Sequence, residues 1–224
     1  MTTSTISRRQ AKDALYDGFA SIARALASGR RAEIVDLLSQ GERTVEEIAG
    51  EIGQSVANTS HHLRALARAQ LVTTRRAGTH IHYRLASTTV VDAWVALRDL
   101  AAEQLDEFDA LATAYLGDRD ELATITRNEL LSRLDQGDLV LIDVRPEAEY
   151  AAGHIPGAIS TPPDRLEVAL DELPLDGDVV AYCRGPYCVY ADDAVRELRT
   201  RGRRALRLED GLPEWRRHGG TTEP

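Results

Sequence analysis

The sequence predicts two domains: a mainly helical amino-terminal domain with a β-hairpin over residues 1–116, and an α/β domain on a parallel sheet over 125–224. A polar segment, 117–124, links them. Three observations carry this expectation. A chain of 224 residues is long for a single hydrophobic core. Residues 44–85 read as two short helices around a glycine, followed by two runs that alternate apolar and polar residues. From residue 125 to 211, apolar runs of strand type alternate with helical spacing, the order that builds a parallel sheet covered on both faces.

Charge divides the chain in a similar way. Residues 1–87 hold 12 Arg or Lys against 8 Asp or Glu; residues 88–224 hold 15 against 28, and together they give the net charge of −9. A basic amino-terminal part suits a polyanion, and the acidic remainder does not. Neither a secretory leader nor an apolar run of membrane-spanning length is read in the sequence, so a soluble, cytoplasmic protein with no membrane partner is expected. Thiols stay reduced in that compartment, and a structural disulfide is not the expected use of the chain's two cysteines.

Residues 6–28 have helical spacing, with Leu15, Phe19, Ile22, Ala23 and Leu26 as the apolar members. A second helix over 30–39 presents Ile34, Leu37 and Leu38 and ends at Gly41. Thr44 and Glu47 form a capping-box pattern that opens a short helix closing near Ile52, with the turn at Gly53. The next helix, 55–69, is expected to bury Val56, Leu63, Leu66 and Ala67. Residues 71–76 and 80–85 alternate around Ala77-Gly78-Thr79, which is the pattern of a hairpin with a basic tip.

The run Ser60-His61-His62-Leu63-Arg64-Ala65-Leu66, then Ala69-Gln70-Leu71-Val72, then the arginine-rich hairpin resembles the ArsR/SmtB family of winged-helix repressors over residues 10–115. Gln70 departs from the family, which usually has Gly there; the position concerns the end of the helix. The resemblance implies that the second helix of the motif enters the major groove of double-stranded operator DNA. Asn58, Thr59, Ser60, His61 and Arg64 are then the candidate base readers or phosphate ligands, because short polar side chains near the start of that helix reach base edges. Arg75, Arg76, His80 and His82 are the candidates for backbone contacts at the wing. The family's usual metal-sensing signatures are missing: 44–52 has no Cys, and 88–116 has no His. No metal and no cofactor is expected.

Residues 88–116 read as one long helix with Val91, Trp94, Leu97, Ala101, Leu105, Phe108, Leu111 and Tyr115 at spacings of three and four. That stripe is longer than a small winged domain can cover, and it is expected to pair with its copy in a homodimer. Two recognition helices would then lie one DNA turn apart, so a pseudo-palindromic operator is expected.

Beyond the linker, Thr126 and Glu129 repeat the capping pattern, and 139–144 and 178–182 read as buried strands. Between the second strand and a helix over 189–201 lies Tyr182-Cys183-Arg184-Gly185-Pro186-Tyr187-Cys188-Val189. A tight loop from a strand's carboxyl end to a helix's amino end gathers backbone N–H groups, favours an anion and lowers the pKa of a thiol placed there. Cys183 stands in that place, where ligands of parallel sheets collect, and is expected to be the more acidic thiol. The alternative is a pair of cysteines that simply pack as small apolar residues.

Leu141-Ile142-Asp143-Val144-Arg145, with Glu147, Glu149-Tyr150 and Gly153-His154-Ile155-Pro156-Gly157-Ala158-Ile159, resembles the opening signature of the rhodanese family. Leu208-Glu209-Asp210-Gly211-Leu212-Pro213-Glu214-Trp215 resembles its closing signature, and the likeness covers residues 120–220. It implies that Cys183 carries a persulfide sulfur, that Arg184 helps to hold an anionic donor, and that Asp143, Arg145, His154 and Trp215 are structural. The six-residue loop 183–188 has the sulfurtransferase length, one shorter than that of related phosphatases. Pro186 has no N–H and removes a donor from the loop. Cys188 stands where the family usually has Arg, Thr or Ser; a thiol beside a persulfide attacks it or condenses with it, so Cys188 reads as a resolving cysteine.

The leading function is a repressor whose rhodanese domain senses sulfane sulfur or oxidants through Cys183 and Cys188. Small sulfur donors or oxidants would be its inducers. One alternative is a sulfurtransferase that works through a Cys183 persulfide, with DNA binding regulated separately. Another is capture of arsenite or a second soft metal by the two thiols.

Overall fold

The computed structural model describes residues 6–174 and 177–224. Residues 1–5 of the first expected domain and 175–176 of the second lie outside the described residues. The chain forms two compact units, Met1–Trp94 and Val95–Pro224, so the division falls inside a helix rather than in the segment 117–124.

In the first unit, α1 (Arg8–Leu26) starts at Ser7, whose hydroxyl accepts from the Gln10 N–H while Gln10 reaches back to the Ser7 N–H. Most of its apolar residues stay out of the unit's core: Leu15, Tyr16 and Phe19 are 61%, 63% and 65% exposed, while Ala25 is buried in the core and Leu26 packs against it. The core comes instead from α2 (Gly29–Ser39), α3 (Val45–Glu51) and α4 (Val56–Arg68). Ile34, Val35, Ile48, Leu63 and Leu66 are its fully enclosed members. The capping box at Thr44 and Glu47 is present in both directions, as the spacing predicts. Val56 and Ala67 are exposed, contrary to expectation, because the buried stripe of α4 runs through Thr59, Leu63 and Leu66, at helical intervals of four and three.

The strands β1 (Arg43–Thr44), β2 (Val72–Ala77) and β3 (His80–Leu85) form an antiparallel sheet in the order β1-β3-β2. Ala77 pairs with His80, so Gly78 and Thr79 alone make the wing's turn, with Gly78 at φ +61°.

The helix expected over 88–116 is two helices, α5 (Thr88–Gln104) and α6 (Phe108–Leu116). Asp106 and Glu107 lie in the break. A carboxylate at the carboxyl end of one helix is disfavoured by its dipole, and the same charge is favoured at the amino end of the next. Two short helices therefore suit this acidic pair better than one long one.

The second unit is a five-stranded parallel sheet in the order β4-β8-β7-β5-β6. In chain order its elements are β4 (Thr124–Ile125), α7 (Arg127–Gln136), β5 (Leu139–Asp143), α8 (Glu147–Ala151), β6 (Ile159–Ser160), α9 (Leu166–Asp171), β7 (Asp178–Tyr182), α10 (Val189–Thr200), β8 (Ala205–Leu208) and α11 (Leu212–Arg217). Thr126 caps α7 through the Glu129 N–H. Side chains along β7 alternate between two apolar clusters. Val179 and Ala181 meet the Ala191, Ala194, Val195 and Leu198 side of α10, while Val180 and Tyr182 meet Leu130, Leu212 and Trp215. Helices thus cover both faces of the sheet. Among the described residues no helix is long and apolar enough to cross a membrane.

Gln70 follows α4 at φ 57°, the one described non-glycine residue with a positive φ. The Gln70 N–H donates to the Ala67 carbonyl and the Leu71 N–H to that of Leu66, a helix end that turns through the left-handed region. Gln70→Gly is therefore expected to stabilise the first unit by about 0.5–1 kcal/mol, read as a higher midpoint in urea unfolding.

Candidate functional site

On α4, Ser55 caps the helix through the Asn58 N–H, and the first two turns present Asn58, His61 and Arg64 to solvent, with Ser60 half-buried. Thr59 corrects the sequence reading. It is fully buried, and its hydroxyl has no hydrogen-bond partner, so it faces the core with Leu63 and cannot reach a base. Its place in the Thr59, Leu63, Leu66 stripe was the available signal. Arg64 lies back along the helix, its Nε 3.2 Å from the Ser60 carbonyl. His62, half-buried on α4, is held below the usual histidine range by burial, and then by the cationic neighbours His61, Arg31 and Arg30.

The wing's register sorts its basic residues by face. Arg75 stands opposite His82, and Ala77 opposite His80, so Arg75, His80 and His82 share one face. Arg76 stands opposite Ile81 on the other face. Arg84, opposite Thr73, belongs with Arg75; the sequence reading missed it although its period of two was legible. Arg75 is already paired, through Nε to Glu42 Oε2 at 3.1 Å and through its terminal nitrogen to Glu42 Oε1. That pairing holds the Glu42 carboxyl below its ordinary range.

In the second unit, Cys183 follows the last residue of β7, and Cys188 is the N-cap residue of α10. The two are joined in a disulfide, with their Cα atoms 6.2 Å apart and both side chains buried. Free thiols were expected. The turn by which the Cys188 N–H reaches the Gly185 carbonyl, at 3.2 Å, folds the loop back and sets the two Cα atoms within the span a disulfide needs.

Arg184 was expected to hold an anionic donor, but it is committed elsewhere. Its Nε lies 3.0 Å and its Nη2 2.6 Å from Glu149 Oε1, and Glu149 is buried on α8. A buried carboxylate requires such a counter-charge, which explains the commitment. Asp143, Arg145 and Tyr182 form a buried network behind the loop: Arg145 Nε is 2.9 Å from Asp143 Oδ1, and the Tyr182 hydroxyl is 2.5 Å from Oδ2. Burial, then Asp143, drives the Tyr182 hydroxyl far above the usual phenol range, so it stays protonated and donates to Asp143.

Three further side chains meet the loop. Arg119 donates to the Pro186 carbonyl at 2.7 Å, to that of Cys188 at 3.4 Å and to buried Asp192 at 2.6 Å. Arg98 lies 2.8 Å from Glu214 and over the Tyr187 ring, and Phe108 meets that ring edge-on at 5.4 Å. Gly211 packs its backbone on Gly185, where any side chain would collide, so the closing signature needs glycine there. None of these contacts has a periodic trace in the sequence.

Comparison with known proteins matches these two sites. Residues 28–74 match the family described as bacterial regulatory protein, arsR family, and residues 126–218 the rhodanese-like domain. The HTH-type transcriptional regulator Rv0324 of Mycobacterium tuberculosis is 48% identical over 93% of this chain and 91% of that protein. The chain belongs to the ArsR family of transcriptional regulators. This ArsR-family regulator is a DNA-binding protein with a carboxyl-terminal rhodanese domain. That domain is 38% identical to a sulfurtransferase of Allochromatium vinosum, over 42% of this chain and 89% of that protein. A solution structure from Mycobacterium bovis, described as a homodimeric winged helix-turn-helix DNA-binding domain, is 41% identical over 47% of this chain and 95% of its own, with a TM-score of 0.42.

Burial separates the α4 candidates sharply. Thr59→Val is expected to leave operator affinity unchanged and to stabilise the fold by about 1 kcal/mol, since it removes a buried hydroxyl without a partner. His61→Ala with Arg64→Ala is expected to lose about 1–3 kcal/mol per base contact in fluorescence-anisotropy titrations of operator DNA.

Proposed function

We propose that this regulator is a homodimeric repressor that leaves its operator when sulfane sulfur acts on the Cys183–Cys188 pair. The observation that carries the reading is the pairing itself: the chain's two cysteines occupy the ends of one six-residue loop and lie within bonding reach. A reducible, closed loop is the output of a switch. A turnover site needs its acceptor thiol back after each cycle, which a Cys183–Cys188 disulfide withholds.

The chemistry needs no oxidant beyond the donor. The Cys183 thiolate attacks the outer sulfur of a persulfide RSSH, giving the Cys183 persulfide and releasing RSH. The Cys188 thiolate then attacks Cys183 Sγ; the Sγ–Sγ bond forms, the bond to the added sulfur breaks, and that sulfur leaves as hydrosulfide. Two thiols and RSSH become one disulfide, RSH and hydrogen sulfide, with the sulfane sulfur taking the two electrons. The missing N–H of Pro186 and the commitment of Arg184 to Glu149 both weaken the hold on a persulfide anion, which favours this second step over storage.

The dimer is supported by apolar surface that the single chain leaves uncovered: Leu97, Leu100 and Leu105 on and after α5, Leu111 and Tyr115 on α6, and Leu15 and Phe19 on α1. Asn58, Ser60, His61 and Arg64 on α4, and Arg75, Arg76, His80 and His82 on the wing, are the proposed DNA contacts, with Arg84 added.

A second reading is favoured by the likeness to the A. vinosum sulfurtransferase: the Cys183 persulfide would pass its sulfur to an external thiol. Cys188 separates the two. For the sensor, Cys183→Ser is expected to bind operator constitutively in the presence of glutathione persulfide. Cys188→Ser should hold a persulfide at Cys183, read by intact mass, and respond weakly or reversibly. Wild type should lose about 5–150-fold in affinity. Release of operator by treated Cys183→Ser as readily as by wild type rejects the sensor. Thiosulfate:cyanide turnover that survives loss of Cys188 intact establishes the enzyme.

A further inference from the structure

The loop that carries the two cysteines is in contact with the helices expected to join the dimer. Tyr187, its fifth residue, has its ring edge-on to Phe108, the first residue of α6, at 5.4 Å. Arg98 of α5 lies over the same ring at 5.9 Å, ion-paired to Glu214 at 2.8 Å, and a side-chain carbon on Gly185 would come 3.4 Å from its Nη1. Arg98 is only 11% exposed at its side chain. Burial works against its charge, but Glu214 and Asp99 more than offset this and hold its pKa above the ordinary arginine value. The segment after α6 adds Arg119 on the carbonyls of Pro186 and Cys188. The other end of α5 is tied into the DNA-binding unit: Val90 is in its core, and Trp94 Nε1 donates to Asp36 of α2 at 2.7 Å.

We infer that Tyr187, held between Arg98 and Phe108, transmits the state of the cysteine pair to α5 and α6, so that the loop sets the geometry of these helices. This rests on the sensor reading proposed above. Cys183 and Cys188 are 2% and 9% exposed, so a change at either sulfur is met by protein atoms rather than by solvent. Opening the disulfide to two thiols, or adding one sulfur to Cys183, requires the residues between them to move. Gly185 and Pro186 are backed by Gly211 and by Arg119 of the segment after α6, while Tyr187 is the loop residue whose ring lies against both Arg98 of α5 and Phe108 of α6. Packed contacts of this kind switch between discrete arrangements instead of deforming continuously. The break between α5 and α6 at 105–107 is where the helices can absorb the change.

The test uses the full-length protein and compares its dithiol form with the disulfide form made by diamide, so that it does not depend on sulfane sulfur. Hydrogen–deuterium exchange is followed in peptides covering 97–116, and thiol counting verifies each form. Wild type is expected to differ between the two forms by about fivefold or more in exchange rate at 97–116. Tyr187→Ala and, separately, Phe108→Ala should form the disulfide in full yet reduce that difference to below about twofold, while Tyr187→Phe, which keeps the ring, should restore it. Equal exchange of the two wild-type forms, or an undiminished difference in both alanine variants, overturns the inference. Operator titrations on the same samples separate this outcome from failure of the sensor. If 97–116 responds and operator affinity does not, the sensor reading falls and the coupling stands. If Tyr187→Ala releases the operator on oxidation as wild type does, the coupling falls and the sensor stands.

Discussion

Strand β7 is buried along its whole length and on both faces, and what happens at its carboxyl end follows from that. The chain leaves the strand inside the protein, so Cys183 is placed in an apolar cluster with Val144, Ala181 and Ala191 rather than at the surface. The loop must also close within six residues, which brings the second cysteine to the helix's cap position. The placement of both cysteines thus follows from one topological fact, the strand-to-helix crossing at the middle of a parallel sheet.

The same burial governs the charges around the loop. Glu149, Asp192 and Glu214 are 1%, 0% and 6% exposed, and each is answered by an arginine: Arg184, Arg119 and Arg98. Removing one partner of such a pair leaves an uncompensated buried charge, at about 3–5 kcal/mol. The arginines near the cysteines are therefore structural cations. What resembles an anion-binding collar is a set of closed pairs, and two of the three arginines reach the loop from α5 and from the segment that follows α6.

Local signals were legible in the sequence. The Thr44–Glu47 box, the hairpin of the wing, the apolar runs of β5 and β7 and the position of the cysteine loop all depend on neighbours within a few residues, and the structure has them, with Ala77 paired in the strand rather than in the turn. The losses were of two kinds. Thr59 and the helix break at 105–107 had local signals that a count of apolar spacings overlooked: a polar residue in register with the buried stripe, and two carboxylates at a helix end. Arg75 with Glu42, Arg184 with Glu149 and Arg119 with Asp192 lie 33, 35 and 73 residues apart, and such partnerships depend on the tertiary path alone. Gln70 was noted as a departure at a helix end, and its positive φ is the physical content of that departure.

The ion pair between Glu42 and Arg75 bears on the way this regulator meets DNA. A bare arginine brought to a phosphate lets the duplex shed condensed cations, and this release is the source of steep salt dependence. Arg75 comes with its own counterion attached to the chain. For it to reach a phosphate, Glu42 must be given up and must then gather cations from solution, so the exchange is close to neutral in released ions. A wing built this way would contribute less non-specific attraction than its formal charge suggests, and more of the binding energy would be left to the base contacts proposed for α4.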